Sequence, residues 1–173
     1  MSEKQARILI FTGSGKGKTT AAFGMALRFL ARRQKVLIAR FCKNKTSGEV
    51  ESLASFPGVR VISSTHGMTP PPEHPEFPAY AAAAQSVFGA VCDAAPGYDF
   101  IVMDEICGAA ARGLVNEKDV TDFLKSLHPE QTAALTGRDA GQELMAAADT
   151  VSEILCLKHG YSRGIDAQAG VEF

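Results

Sequence analysis

Short apolar runs recur along this chain, and between them lie stretches whose apolar residues fall at helical spacing. RILIFT, from Arg7, reads as a buried strand. Ala22, Phe23, Ala26, Leu27 and Leu30 then make one broad apolar face on a helix expected from Lys18 to about Arg32. KVLIARF is a second strand, GEVESLASF a short helix and GVRVIS a third strand. THGMTPPPEHPEFP is too proline-rich for helix or central strand, because proline lacks an amide donor and restricts its predecessor. It reads as an ordered surface loop. An alanine-rich helix through AYAAAAQSVFGAVCDA leads, by the turn PGYD, into the strand FIVM, which ends at Asp104-Glu105. NEKDVTDFLKSL is a helix with Asn116 placed as its N-cap. QTAALTG is a strand, DAGQELMAAA a helix and TVSEILCL the last strand. Strands alternating with helices predict an α/β fold: a mostly parallel sheet, helices on both faces, and a site at the strands' carboxyl ends.

Composition narrows the class. The chain has 173 residues, 46% hydrophobic and 21% charged, and it shows neither an internal repeat nor a shift in composition. Residues 1–173 are therefore expected to form one domain. A net charge of -1 gives no electrostatic ground for nucleic acid or a membrane surface as partner. No apolar run approaches the length of a membrane span, and MSEKQARILIF lacks the apolar stretch and small-residue cleavage site of a secretory signal. Cys42, Cys92, Cys107 and Cys156 lie far apart with no C-x-x-C pair. That is the pattern of reduced thiols in a cytoplasmic protein, not of a disulfide frame or zinc knuckle. The histidines are equally dispersed, and His66 and His74 read as solvated loop groups.

The chemistry concentrates in TGSGKGKTT, between the first strand and the first helix. An ordinary Walker A loop reads G-x-x-x-x-G-K-[ST]. Here only Ser14, Gly15 and Lys16 separate Gly13 from Gly17-Lys18-Thr19, and Thr12 stands where the first glycine belongs. A glycine loop at a helix N-terminus still offers backbone amides and the helix dipole to an anion. Gly13, Ser14, Gly15, Lys16, Gly17, Lys18, Thr19 and Thr20 are thus expected to bind the phosphates of ATP. Lys18 supplies charge to the terminal phosphates, and the Thr19 hydroxyl is placed to reach a magnesium ion. A dinucleotide fingerprint is excluded, since the loop is G-x-G-x-G and the second strand ends in Ala39-Arg40 with no ribose-binding acid. YDFIVMDEI supplies a Walker B-like strand whose Asp104 and Glu105 emerge where carboxylates hold magnesium directly or through water. Arg138 is read two ways, as a charge for phosphate or substrate and as a salt-bridge partner of Asp139 or Asp149. Cys107 is read two ways, as a buried, inert thiol and as a candidate pocket residue.

The chain resembles the ATP:corrinoid adenosyltransferases, which make the adenosyl form of cobalamin. The resemblance runs from TGSGKGKTTAAFGMALR, matching a shortened T-G-[ND]-G-K-G-K-T-T loop with a downstream arginine at Arg28, through Phe41, Lys43 and SGE at Ser47 to MDEI. It continues in LTGRDAGQELMAAADTVSEI and in the tail KHGYSRGIDAQAGVEF. It implies a RecA-like P-loop fold, ATP and magnesium, and a corrinoid substrate whose reduced cobalt attacks the ribose 5′ carbon while the whole triphosphate leaves. Lys18, Thr19 and Glu105 would then carry catalysis. It also implies a homodimer and an external reductant such as a reduced flavoprotein. Family members commonly place aromatic residues, as G-F-x-W, beneath the corrinoid; here Met68 and Pro70 hold those positions, with Phe77 and Tyr80 nearby. Met68, Phe77, Arg138 and His159 are the expected corrinoid contacts. Two rivals stay open on the residues alone: a small P-loop kinase or ATPase, and a non-catalytic corrinoid- or nucleotide-binding module.

Overall fold

The computed structural model describes residues 5–45 and 47–171; Glu172 and Phe173, which complete the tail motif, and Met1 to Lys4 lie outside the described residues. The strands are β1 (Arg7–Thr12), β2 (Val36–Arg40), β3 (Val59–Ser63), β4 (Phe100–Asp104), β5 (Thr132–Thr136) and β6 (Thr150–Glu153). They form one sheet in the order β3-β2-β4-β5-β1-β6, and every neighbouring pair is parallel. The helices that connect them are α1 (Lys18–Ala31), α2 (Gly48–Ala54), α3 (Phe77–Ala94), α4 (Ile106–Ala111), α5 (Glu117–Ser126) and α6 (Gln142–Ala147). β5 lies between β1, which leads into the glycine loop, and β4, which ends in the acidic pair. An extra strand between those two makes the fold a RecA-like P-loop α/β fold.

Alternation along each strand builds two cores. Leu37, Ala39, Ile101, Met103, Ala133 and Leu135 face one side, where Val87 and Val91 of α3, Ile106 of α4 and Leu124 of α5 complete the packing. Val36, Ile38, Phe100, Val102 and Ala134 face the other, against Ala22, Phe23 and Ala26 of α1 and Val50 and Leu53 of α2. Phe29 of α1 stacks flat on Phe100, with ring centroids 4.4 Å apart. A strand buried on both faces reads as a continuous apolar run, which is why β2, β4 and β5 stand out in the sequence. Register then aligns the edge: Arg40 pairs with Asp104, Phe11 with Thr136, and Thr12 with Glu153.

Some elements depart from the sequence reading. α3 begins at Phe77 rather than Ala79, because Pro78 occupies its first turn, where a missing amide proton breaks no helical bond. α4 was not foreseen; ICGAAA is too short for a helical period to show. β6 stops at Glu153 rather than running through Leu157, and α6 spans only Gln142–Ala147, because Gly141 and Ala148 at its ends are extended. Asn116 caps α5 as expected, its side chain accepting a hydrogen bond of 2.8 Å from the Lys118 amide. Asn116→Ala should lower the unfolding free energy by about 1 kcal/mol, read from the urea midpoint. An unchanged midpoint would mean that the cap contributes nothing.

Candidate active site

The shortened loop has a structural cause. Thr12, at the position of the missing glycine, is still strand: it pairs with Glu153, its carbonyl accepts from Ile154 at 2.9 Å, and its hydroxyl faces the Ala140 amide at 3.4 Å. The turn therefore starts one residue late. β6 also crowds the turn from outside. The Gly15 amide donates to the Ile154 carbonyl at 2.7 Å, and the Cys156 amide reaches the Ser14 hydroxyl at 3.3 Å. A Cβ on Gly13 would stand 2.5 Å from the Ile154 carbonyl oxygen, and one on Gly15 2.7 Å from an Ile154 side-chain carbon. These two glycines are thus needed by the departing strand, in addition to any phosphate. Gly17 differs: its φ of 113° is left-handed, but a Cβ there meets nothing within 4 Å.

Lys18 folds back over the loop, and its ammonium donates to the carbonyls of Gly13 and Gly15, both at 2.8 Å. Burial lowers its pKa below the ordinary lysine value; Arg138 and Lys43 push the same way, and Glu105 and Asp104 oppose them. Lys16 reaches from the loop to the Val171 carbonyl of the tail. Ser14 and Thr20 are exposed.

Across the edge, the Asp104 carboxylate is fully buried. Its Oδ1 accepts hydrogen bonds from the hydroxyls of Thr19 and Thr136, each at 2.7 Å. Its Oδ2 receives the Lys43 ammonium at 2.8 Å. That ammonium also lies 3.1 Å from Thr19 Oγ1 and 3.6 Å from Glu105 Oε1. Glu105 is in the left-handed region, with φ 67° and ψ 16°, and its amide donates to Thr136 Oγ1 at 3.0 Å. This kink ends β4 and starts α4. It also lets Glu105 stay partly exposed while Asp104 turns inward.

Lys43 and Thr136 are the residues the sequence reading missed as site groups. Lys43 belongs to the family resemblance without a role there, and a threonine closing an apolar strand beside Gly137 is the available sign for Thr136. The turn that carries Lys43 is held from both sides. Within, the buried Arg40 guanidinium donates to the Lys45 carbonyl at 2.6 Å. Without, Thr69 Oγ1 donates to Cys42 Sγ at 3.3 Å, and Gly67 packs so closely on Asn44 that a Cβ would lie 2.8 Å from its Oδ1. Cys42 itself adopts a left-handed φ of 54°.

The expected corrinoid contacts are spread more widely. Met68 is 87% exposed in the loop after β3. Phe77 and Tyr80 pack against the core below it, and Tyr80 lies against the His66 ring at 4.6 Å between centroids. Arg138 is exposed beyond β5 and forms no ion pair among the described residues; Asp149, one of its suggested partners, accepts the Ile8 amide at 2.7 Å. His159 is half-buried in the tail, its Nδ1 accepting the Tyr161 amide at 3.1 Å. Cys107 is buried, and desolvation pushes its thiol up to about 12. Two clefts of about 370 and 330 Å³ lie at the strands' amino ends, lined by Cys92, Phe123 and Gln131 and by Ile8, Leu124 and Asp149. They are remote from the loop and the acidic pair, and the chemistry of the carboxyl edge is the better guide.

The fold and this edge define a P-loop protein of the RecA-like class. The chain belongs to the ATP:corrinoid adenosyltransferase family: the family model described as ATP:corrinoid adenosyltransferase BtuR/CobO/CobP matches residues 4–173. Corrinoid adenosyltransferase CobA of Salmonella typhimurium is 32% identical over 171 residues, covering 99% of this chain and 87% of the relative. The corrinoid adenosyltransferase of Escherichia coli K12 is 30% identical over 171 residues with the same coverage, 99% and 87%. That of Pseudomonas aeruginosa is 32% identical over 173 residues, covering 99% and 85%.

Gly13 and Gly17 should therefore separate on substitution. Gly13→Ala adds a backbone clash to left-handed strain and should destabilise the fold by more than about 2 kcal/mol, whereas Gly17→Ala bears only strain of about 1–2 kcal/mol. Thermal unfolding of the two variants measures the difference; equal losses would show that β6 does not constrain the loop.

Proposed function

We propose that this protein, acting as a single cytoplasmic domain, transfers the 5′-deoxyadenosyl group of ATP to the reduced cobalt of a cob(I)alamin-type corrinoid and releases triphosphate. One observation carries the reading: in a chain matched to this family almost end to end, the Thr19 hydroxyl joins the glycine loop to Asp104 at 2.7 Å. ATP as co-substrate supports the cytoplasmic placement.

In the proposed reaction the electron pair of Co(I) forms a bond to C5′ of the ribose. The C5′–O bond breaks, and its electrons leave on the triphosphate. No water or hydroxyl has to be aimed at the terminal phosphorus. The protein's task is to hold a leaving group whose negative charge grows at the transition state. The free amides at the start of α1, Lys18 and Lys16 are the groups proposed to meet that charge, with Gly13, Ser14, Gly15, Gly17 and Thr20 completing the cradle.

Magnesium fits the oxygen donors at this edge. Thr19, Asp104 and Glu105 are hard oxygen donors, and the Lys43 ammonium already lies among them, so the position attracts positive charge. Magnesium takes few protein ligands and completes its shell with water and phosphate. Thr19 and Glu105 would hold it, with Asp104 orienting Thr19 from behind, and when bound it would neutralise charge on the leaving triphosphate. Met68, Phe77, Arg138 and His159 are the proposed corrinoid contacts. The exposed Leu155, Leu157 and Tyr161 of the tail support a homodimer that covers them. The family resemblance supports a reduced flavoprotein as electron donor.

With chemically reduced corrinoid, the protein should yield adenosylcorrinoid and free triphosphate in equal amounts. ADP as the nucleotide product would overturn the reading. Lys18→Ala and Thr19→Ala should each fold yet lose about 3 kcal/mol of transition-state stabilisation, roughly a hundredfold in rate. Glu105→Gln should raise the magnesium concentration needed for half-maximal rate; an unchanged magnesium titration would move the ligand role to Asp104.

A further inference from the structure

The Lys43 ammonium occupies the space among Thr19, Asp104 and Glu105, the oxygen donors at the proposed magnesium position, and this inference rests on that reading. Its distances to their oxygens are 3.1 Å, 2.8 Å and 3.6 Å. Asp104 Oδ1 is taken by two hydroxyls, so Lys43 is the counter-charge of a carboxylate that has no contact with water. A divalent cation at this position would stand beside that ammonium and compete for the same oxygens. Lys43 cannot simply be displaced into solution, since its turn is fixed by Arg40 on one side and Thr69 on the other. Its side chain is nevertheless about a third exposed, so the ammonium can swing toward the open edge while the backbone stays. A bound triphosphate, lying between Lys18 and this edge, would offer it phosphate oxygens there.

We propose that Lys43 makes metal binding conditional on nucleotide. Without nucleotide Lys43 holds the cation position among Thr19, Asp104 and Glu105; with the triphosphate bound, its ammonium would move to the phosphate oxygens and leave that position to the metal. Metal and ATP then bind with positive coupling, and the coupling is reciprocal. The arrangement keeps divalent cations from occupying the edge without substrate. It also adds a third lysine to the groups facing the leaving group.

The test uses the full chain, Mn²⁺ as a paramagnetic probe, and ATP without corrinoid. Free Mn²⁺ is counted by electron paramagnetic resonance, and ATP affinity is measured with and without Mn²⁺. Lys43→Met should bind Mn²⁺ without nucleotide about tenfold more tightly than the unaltered protein, and the enhancement of ATP affinity by Mn²⁺ should shrink by a similar factor. Lys43→Arg, which keeps the charge, should behave like the unaltered protein. If Lys43→Met does not fold, Lys43→Gln leaves Asp104 a hydrogen-bond donor and carries the same expectation. A folded, uncharged variant with unchanged Mn²⁺ affinity and unchanged coupling overturns the inference, and leaves the magnesium reading standing if Glu105→Gln still weakens Mn²⁺ in the ATP complex. Failure of the unaltered protein to retain Mn²⁺ even with ATP overturns the magnesium reading, and this inference with it.

Discussion

A carboxylate with no access to water has to be neutralised and hydrogen-bonded, and the carboxyl edge of this sheet is arranged around that requirement at Asp104. Removing one partner of a buried charge pair costs about 3–5 kcal/mol, far more than an exposed pair contributes. Each of the partners comes from a different element: Thr19 from α1, Thr136 from β5 and Lys43 from the turn after β2. Satisfying one buried group therefore brings the start of the loop helix, the central strands and a distant turn to one point. Thr136 serves twice, donating to Asp104 and accepting from the Glu105 amide, and so helps hold the left-handed kink that separates the two acidic residues. Asp104 organises the edge, and Glu105 stays partly exposed beside it.

The loop is governed by a second constraint, close approach. β1 runs one residue farther than the ordinary P-loop pattern allows, because Thr12 is paired to β6. The chain leaving β6 then crosses the loop at Ile154, where only glycine fits at positions 13 and 15. A loop clamped in this way is preorganised, and Lys18 is held on its own carbonyls. Preorganised donors need little rearrangement as charge develops, which is where electrostatic stabilisation of a leaving group comes from.

Much of this was legible in the chain itself. Strands buried on both faces betray themselves as apolar runs, the helix after the glycine loop has a clear apolar face, and Asn116 signals the start of α5. The glycine loop and Asp104-Glu105 were legible because their chemistry requires those residue types beside a strand end. What escaped was decided by tertiary contact. A left-handed Glu105 has no sequence signature, since the conformation is imposed by Thr136 and the start of α4. Lys43 is an ordinary lysine in a polar stretch until the register of β2 on β4 sets it over Asp104. ILCL has strand composition and extends the expected β6 to Leu157, yet Leu155 and Leu157 leave the sheet and are exposed.

The proposed role of the edge is to stabilise a departing triphosphate rather than a transferred phosphoryl group. ATP carrying ¹⁸O in the bridge between C5′ and the α-phosphorus reports which bond breaks. After one turnover with reduced corrinoid, mass spectrometry should find the label in free triphosphate and none in the adenosyl product. Label retained in ADP or AMP would mean attack at phosphorus and would contradict the account.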